Sequence, residues 1–204
     1  MLFRSISNNL ILGNTNSIYL YSYSTVTQDL YFANNTVQGT TNDFGVDLET
    51  NNGGYNINFT NNDFNAINND TAYIYYTSTS PSNSNLTINN NRFNGSATGN
   101  GLKIENHSNS NLIGEVTNNT FIGNSDQKGL YILQDSTTPN SICLNIVGNT
   151  ASGNNTNYTL TNDGADGTFQ ITPCNAASVN TGGLLIHTTN VTLVESCSSG
   201  IECP

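Results

Sequence analysis

Basic residues are nearly missing from this chain: four lysines and arginines stand against fourteen aspartates and glutamates, for a formal net charge of −10 at pH 7. Nucleic-acid binding relies on clustered cations that displace the counterions of phosphate. That balance therefore argues against a nucleic-acid partner, and equally against an anionic membrane surface. No run approaches the roughly 18 apolar residues of a spanning helix, so no membrane insertion is expected. Residues 1–15 also lack the charged, apolar and small-residue regions of a signal peptide. No window carries the 3.6-residue apolar period of an amphipathic helix, which removes the helical repeat architectures. The four cysteines include no C-x-x-C spacing, so neither a zinc knuckle nor a thioredoxin-like site is expected, and no cofactor is implied.

What the chain does have is repetition. An Asn-rich turn follows a short alternating segment at Asn8-Asn9, Asn34-Asn35, Asn61-Asn62, Asn90-Asn91, Asn118-Asn119 and Gly148-Asn149, in steps of 26, 27, 29, 28 and 30 residues. Internal repeats of this period define the architecture before any other signal. Two apolar columns run at 28-residue intervals: Ile18, Val46, Ile74, Leu102, Leu130 and Tyr158, then Leu20, Leu48, Tyr76, Ile104, Ile132 and Leu160. Apolar residues two apart with polar ones between them mark a strand with one buried face.

The segment entering each Asn turn behaves likewise, with Leu30 and Phe32, Ile57 and Phe59, Leu86 and Ile88, Leu144 and Ile146, and a poorer copy at Gly114 and Val116. A third, shorter element after the turn carries Ile11, Val37, Phe64, Phe93 and Phe121. Three short strands per repeat of about 28 residues make one coil of an all-β parallel β-helix. One coil cannot bury its own apolar positions, so coils must stack. The richness in Asn, Ser, Thr and Gly could otherwise indicate a polar low-complexity tract. A disordered tract has no reason to hold Leu and Ile in register, and stacked Asn side chains can hydrogen-bond up a ladder.

The NNxF turns Asn61-Asn62-Asp63-Phe64, Asn90-Asn91-Arg92-Phe93 and Asn118-Asn119-Thr120-Phe121, with the GLxI segments Gly101-Leu102-Lys103-Ile104 and Gly129-Leu130-Tyr131-Ile132, carry a resemblance. The chain resembles the right-handed parallel β-helix repeat proteins of the pectate-lyase-like superfold, over residues 5 to about 160. The resemblance implies right-handed winding and a secreted or bacterial surface passenger type. It does not select an activity, because that superfold hosts lyases, hydrolases, tailspikes and surface passengers alike. The family's hydrolase signatures, paired Asp-Asp, Gly-His-Gly and Arg-x-Lys, do not occur in this sequence, nor do its calcium-binding Asp clusters.

At this period, 204 residues allow about seven coils in a single domain spanning 1–204. Residues 1–160 form the regular coils, and 161–204 an irregular final coil with a cysteine-containing cap. Residues 1–7 read straight into a strand with no room for a cap, so Met1 is expected to begin a fragment of a longer chain. All four cysteines, Cys143, Cys174, Cys197 and Cys203, lie in the last third. An even set there would staple a thinly packed end in an oxidising compartment. If Val191 stacks over Phe169, Cys197 falls beside Cys174, within reach of a disulfide.

The outward positions of the most regular strand are the best candidates for function: Tyr19, Tyr21, Asp47, Glu49, Tyr73, Tyr75, Lys103, Glu105 and Tyr131. Aromatic rings beside carboxylates on a flat sheet suit a sugar polymer, since rings pack on the apolar faces of pyranosides and acids take hydroxyl hydrogen bonds. The bland alternative is a stack of good strand formers serving stability alone. Asp47 and Glu49, about 7 Å apart along a strand, are candidate catalytic acid and base across a glycosidic bond, although any Asp-x-Glu on a strand gives that separation. Asp163 and Asp166, in Asn162-Asp163-Gly164-Ala165-Asp166-Gly167, are candidate calcium ligands that read first as turn residues. His107 and His187 have no motif partner and read as solvated loop or strand-edge residues.

Two functions are therefore expected. One is a non-enzymatic extracellular or cell-surface module presenting a rigid Tyr/acid face for adhesion or glycan binding. Its partner would be a glycan or a host or cell-surface ligand, with scope for end-to-end or side-by-side self-association. The alternative is a polysaccharide-processing enzyme, hydrolase or lyase-like, using carboxylates of the same face.

Overall fold

Period-2 alternation supplies strands with one buried face, and each Asn pair supplies the corner that turns one strand into the next. The computed structural model describes residues 2–13, 18–39, 44–65, 68–77, 82–95, 98–107, 109, 111–124, 127–135, 141–163, 168–172, 180–182, 185–186 and 192–193. Strands come in threes: β1 (Leu2–Ser7), β2 (Leu10–Leu12) and β3 (Ile18–Tyr23), then β4 (Gln28–Ala33), β5 (Thr36–Gln38) and β6 (Val46–Asn51). The third set is β7 (Tyr55–Thr60), β8 (Asp63–Asn65) and β9 (Ala72–Tyr76), and the fourth is β10 (Asn83–Asn89), β11 (Arg92–Asn94) and β12 (Leu102–Asn106). The fifth is β13 (Asn111–Thr117), β14 (Thr120–Ile122) and β15 (Lys128–Gln134), and the sixth is β16 (Ser141–Val147), β17 (Thr150–Ser152) and β18 (Thr156–Asn162). Three more strands follow at β19 (Thr168–Thr172), β20 (Leu185–Ile186) and β21 (Thr192–Leu193).

First, second and third members of successive sets pair only with their own kind, which gives three sheets of eight, six and seven strands. The pairings are parallel, as β4 with β7, β5 with β8 and β6 with β9 illustrate. The chain is thus an all-β parallel β-solenoid with a period of about 28 residues. Between β2 and β17, where all three sheets are present, it completes five turns. That is fewer than the seven expected from length, because the described residues beyond β18 contribute short strands and not further full coils.

The interior is filled by the expected residues. Leu30, Phe32, Ile57, Phe59, Leu86, Ile88, Leu144 and Ile146 are buried on the first sheet, and Val37, Phe64, Phe93 and Phe121 on the second. Phe64, Phe93 and Phe121 stack with centroids 5.1 and 5.2 Å apart and ring planes within 6° of parallel. Such contacts add about 0.5–1.5 kcal/mol each beyond area burial. Gly114 fills a core column because an added Cβ there would collide with the carbonyl oxygen of Leu86 in the coil before.

Both expected columns are corrected at one coil. Val46 pairs with Ala72 and not Ile74, Leu48 pairs with Ile74, and Thr50 with Tyr76; Ala72 in turn pairs with Leu102. The chain arrives at β9 two residues early and recovers the difference by β12. A two-residue slip keeps the same side chains inward, since only odd shifts exchange the faces of a strand. Its consequence is that Tyr76 enters a column of buried polar residues, Thr50, Asn106, Gln134 and Asn162.

The corners are held by a buried Asn ladder. The backbone N–H and Nδ2 of each Asn both donate to the Oδ1 of the next: Asn35 to Asn62 at 2.9 and 3.1 Å, Asn62 to Asn91 at 2.9 and 2.9 Å, and Asn91 to Asn119 at 2.9 and 3.0 Å. The same Nδ2 donates to a strand carbonyl of the preceding coil, from Asn62 to Phe32 at 2.8 Å and from Asn91 to Phe59 at 2.9 Å. The ladder runs from Asn9 to Asn180, one rung beyond those expected. Asn180-Thr181 repeats the Asn-Thr step of Asn35-Thr36, Asn119-Thr120 and Asn149-Thr150, a signal the sequence carried. The residue before each rung from Asn9 to Asn149 is left-handed: Asn8, Asn34, Asn61, Asn90 and Asn118 have φ between 55° and 60°, and Gly148 has φ 72°. Asn tolerates this conformation better than other non-glycine residues.

The Cys174–Cys197 pairing lies outside the described residues. Thr192 pairs with Gln170 and Leu193 with Ile171, the register on which that expectation was built. Cys143 is buried and is not a free thiol.

Asn62→Ala strips Asn35 of its acceptor and the Phe32 carbonyl of its donor, and is expected to cost about 2 kcal/mol or more. Asn61→Gly, one residue earlier, should stay within about 1 kcal/mol of wild type because glycine accepts the left-handed corner. Equal losses in denaturant unfolding would contradict the ladder. A second prediction concerns Asp70, whose buried Oδ1 accepts from the N–H and Nδ2 of Asn100 at 2.5 and 2.8 Å. Burial pushes its carboxyl up, against the lowering effect of the Asn100 bonds. A raised folded value means that the stability linked to this group is complete in acid and lost as pH rises through that value. Asp70→Asn, which keeps the acceptor and removes the charge, should therefore raise Tm at neutral pH, with the gain fading on acidification.

Candidate functional site

The third sheet brings the predicted outward residues into two adjacent columns. Tyr19 pairs with Asp47, Asp47 with Tyr73, Tyr73 with Lys103 and Lys103 with Tyr131; beside them run Tyr21, Glu49, Tyr75, Glu105 and Leu133. Strands β3 and β9 each carry a Tyr-x-Tyr, and the intervening β6 and β12 each carry two charged residues. Alternation of inward and outward side chains along each strand puts all of them on one face.

Diagonal hydrogen bonds tie ring rungs to charged rungs. The Tyr19 hydroxyl donates to Glu49 Oε2 at 3.1 Å, and the Tyr73 hydroxyl donates to Glu105 Oε2 at 2.6 Å. Lys103 Nζ lies 2.8 Å from Glu105 Oε1 and 4.9 Å from the Tyr73 ring centroid. Tyr73 stacks on Phe44 at 5.4 Å and meets Tyr75 at 5.8 Å. Further along, Lys128 Nζ sits 4.4 Å from the Tyr131 ring.

This mutual packing leaves the face unevenly exposed. Tyr19 and Tyr21 are 53% and 48% exposed, whereas Glu105 retains only 9%. Tyr73, Tyr75, Asp47, Glu49, Lys103 and Tyr131 are half-buried. Long side chains spaced one strand apart cover one another, and Phe44 adds a wall. The electrostatics follow. Burial raises the Glu105 carboxyl, but bonds from Lys103 and Tyr73, with the Lys103 and His107 charges, more than offset it and hold it below the usual carboxylate range. Burial and the Glu105 carboxylate push the Tyr73 phenol well up, so it remains a hydrogen-bond donor at any physiological pH.

His107 does not stand alone, as its lack of a motif suggested. Its Nε2 lies 3.4 Å from Glu105 Oε2, its Nδ1 3.3 Å from Asp135 Oδ2, and its ring 5.0 Å from that of Tyr75. His107 shares the outward parity of Lys103 and Glu105, and Asp135 that of Tyr131 and Leu133. Extending each strand by one outward position would have found both. The catalytic candidates Asp47 and Glu49 stay adjacent on β6, with Glu49 accepting the Tyr19 bond. Of the candidate calcium ligands, Asp163 is exposed just past β18, and Asp166 lies outside the described residues. Among the described residues no group of three His, Cys, Asp or Glu side chains is placed to hold a metal.

Fold and face together define a parallel β-solenoid with a fixed tyrosine and carboxylate surface along one sheet. No protein-family model, curated protein or solved structure matches this chain.

The Glu105 carboxyl, held low in the folded state, contributes stability above the ordinary carboxylate range that is lost as pH falls through its native value. Glu105→Gln should therefore melt earlier than wild type at pH 7, and the two should converge as acidification protonates Glu105 in the folded protein. An offset that stays constant on acidification would contradict the charged cluster.

Proposed function

We propose that this solenoid is a non-enzymatic extracellular or cell-surface module, of the right-handed pectate-lyase-like kind, whose Tyr/acid face contacts glycans. The observation that carries the proposal is the joining of Tyr19, Tyr21, Tyr73, Tyr75 and Tyr131 with Asp47, Glu49 and Glu105 on one face. Rings offer apolar surface to pyranosides, and carboxylates and phenols offer hydrogen bonds in fixed positions. Tyr73, Lys103 and Glu105, fixed by one another, have little side-chain freedom to lose on binding, which lowers the entropic cost of association. Right-handed winding accords with the strong preference of parallel crossover connections. An oxidising compartment accords with the even number of cysteines and with Cys143 not being a free thiol.

A glycan array read with wild type and Tyr75→Ala tests the face. Binding should fall at least tenfold in the variant, while Tyr31→Ala, an exposed tyrosine on the first sheet, leaves it unchanged. Equal binding by all three proteins would remove the face from the account. Incubation with the bound glycan should release no new reducing ends; release abolished by Asp47→Asn and Glu49→Gln would establish the hydrolytic alternative instead.

A further inference from the structure

The face repeats every two coils, not every coil. Tyr19 and Tyr21 on β3 are matched by Tyr73 and Tyr75 on β9, and Tyr131 on β15 continues the first column. The rungs between them carry Asp47 with Glu49, and Lys103 with Glu105. Even the internal bonding obeys this double period: the diagonal from Tyr19 to Glu49 recurs from Tyr73 to Glu105, two coils on. Neighbouring strands lie about 4.8 Å apart, so ring rungs recur about every 9.6 Å along the solenoid axis.

Resting on the glycan-contact proposal above, we infer that the ligand is an uncharged, extended β-1,4-linked polysaccharide lying parallel to the solenoid axis. In such a ribbon each sugar is turned over relative to its neighbours, so the same sugar face recurs once per disaccharide, a length of about two strand spacings. Every second sugar would then meet a tyrosine rung, and the sugars between would meet a charged rung whose carboxylates accept hydroxyl hydrogen bonds. A glucan with α-1,4 linkages curves away from a straight ladder and loses this match after one repeat. The preference for an uncharged chain follows from the balance of the face. Asp47, Glu49, Glu105 and Asp135 stand against Lys103 and Lys128, and Lys103 is already paired with Glu105. A polyuronate would meet net repulsion.

The test is calorimetric titration of the protein with cello-oligosaccharides of two to six units and with maltohexaose. Affinity should rise mainly on completing each disaccharide, so that the gain from three to four units exceeds that from two to three. Maltohexaose should bind at least tenfold more weakly than cellohexaose. Removing the terminal ring rung with the double substitution Tyr19→Ala and Tyr21→Ala should weaken cellohexaose more than cellotetraose and so erase the advantage of the longer chain. Equal affinity for the two hexasaccharides, or an even gain per sugar, would overturn the inference. Silence from every cello-oligosaccharide, with another glycan binding in a Tyr75-dependent way, would overturn it and leave the face reading intact. Silence across the whole array would overturn both.

Discussion

The interaction on which everything else depends is the doubled hydrogen bond between successive ladder asparagines. A parallel β-solenoid must turn three corners per coil, and a corner exposes backbone groups to a core that cannot hydrate them. Each rung answers three such demands with one side chain. Its Oδ1 accepts two donors from the coil before, and its Nδ2 reaches both the rung after and a strand carbonyl of the coil before, as at Asn91. No other uncharged side chain but glutamine offers an acceptor and two donors, and glutamine is one methylene too long to keep the backbone N–H on the same acceptor. That chemistry, and not a general taste for polar residues, explains why a chain so poor in apolar content still folds.

The same ladder explains which parts of the fold were legible in sequence. The corner at each Asn pair was visible because two separate demands coincide there, a left-handed residue at Asn61 and a bonded one at Asn62. The strand columns were visible because period 2 survives any even displacement. That tolerance also hid the register of β9: Ile74 and Tyr76 satisfy the inward pattern equally well in either register, and it is Ala72 that lies between Val46 and Leu102. Asn180 was missed for a related reason. Its neighbours lack the NNxF context, although the bonding it provides to Asn149 is the same as at every other rung.

For the site, parity along each strand was enough to collect the face but not to describe it. Tyr73 and Lys103 were expected as exposed neighbours; what the sequence could not convey is that Phe44 and Tyr75 pack around Tyr73 and that Glu105 sits nearly buried between Lys103, Tyr73 and His107. Two of those contacts, Phe44 with Tyr73 and Tyr73 with Glu105, cross from one coil to the next, and the others join outward residues two apart along the chain; all depend on side-chain reach, which periodicity does not encode. His107 was misjudged because partners were sought within a motif, whereas in a solenoid the relevant neighbour, Asp135, lies one full turn away.

These two levels are coupled. The spacing of outward side chains along the axis is set by the coil separation, and that separation is held on the inside by the Asn rungs and the Phe stack at 5.1–5.2 Å. A surface attached to such a frame cannot adapt by sliding, because one coil cannot approach another without breaking bonds in all three sheets. Recognition by this face would therefore be selective for ligands whose own repeat agrees with it, and indifferent to ligand chemistry that fails that geometric condition. Flexible loops select by adjusting to a partner; a ladder of fixed pitch selects by refusing partners of another pitch. The interior asparagines, far from any ligand, would in this sense determine specificity as firmly as the tyrosines that touch it.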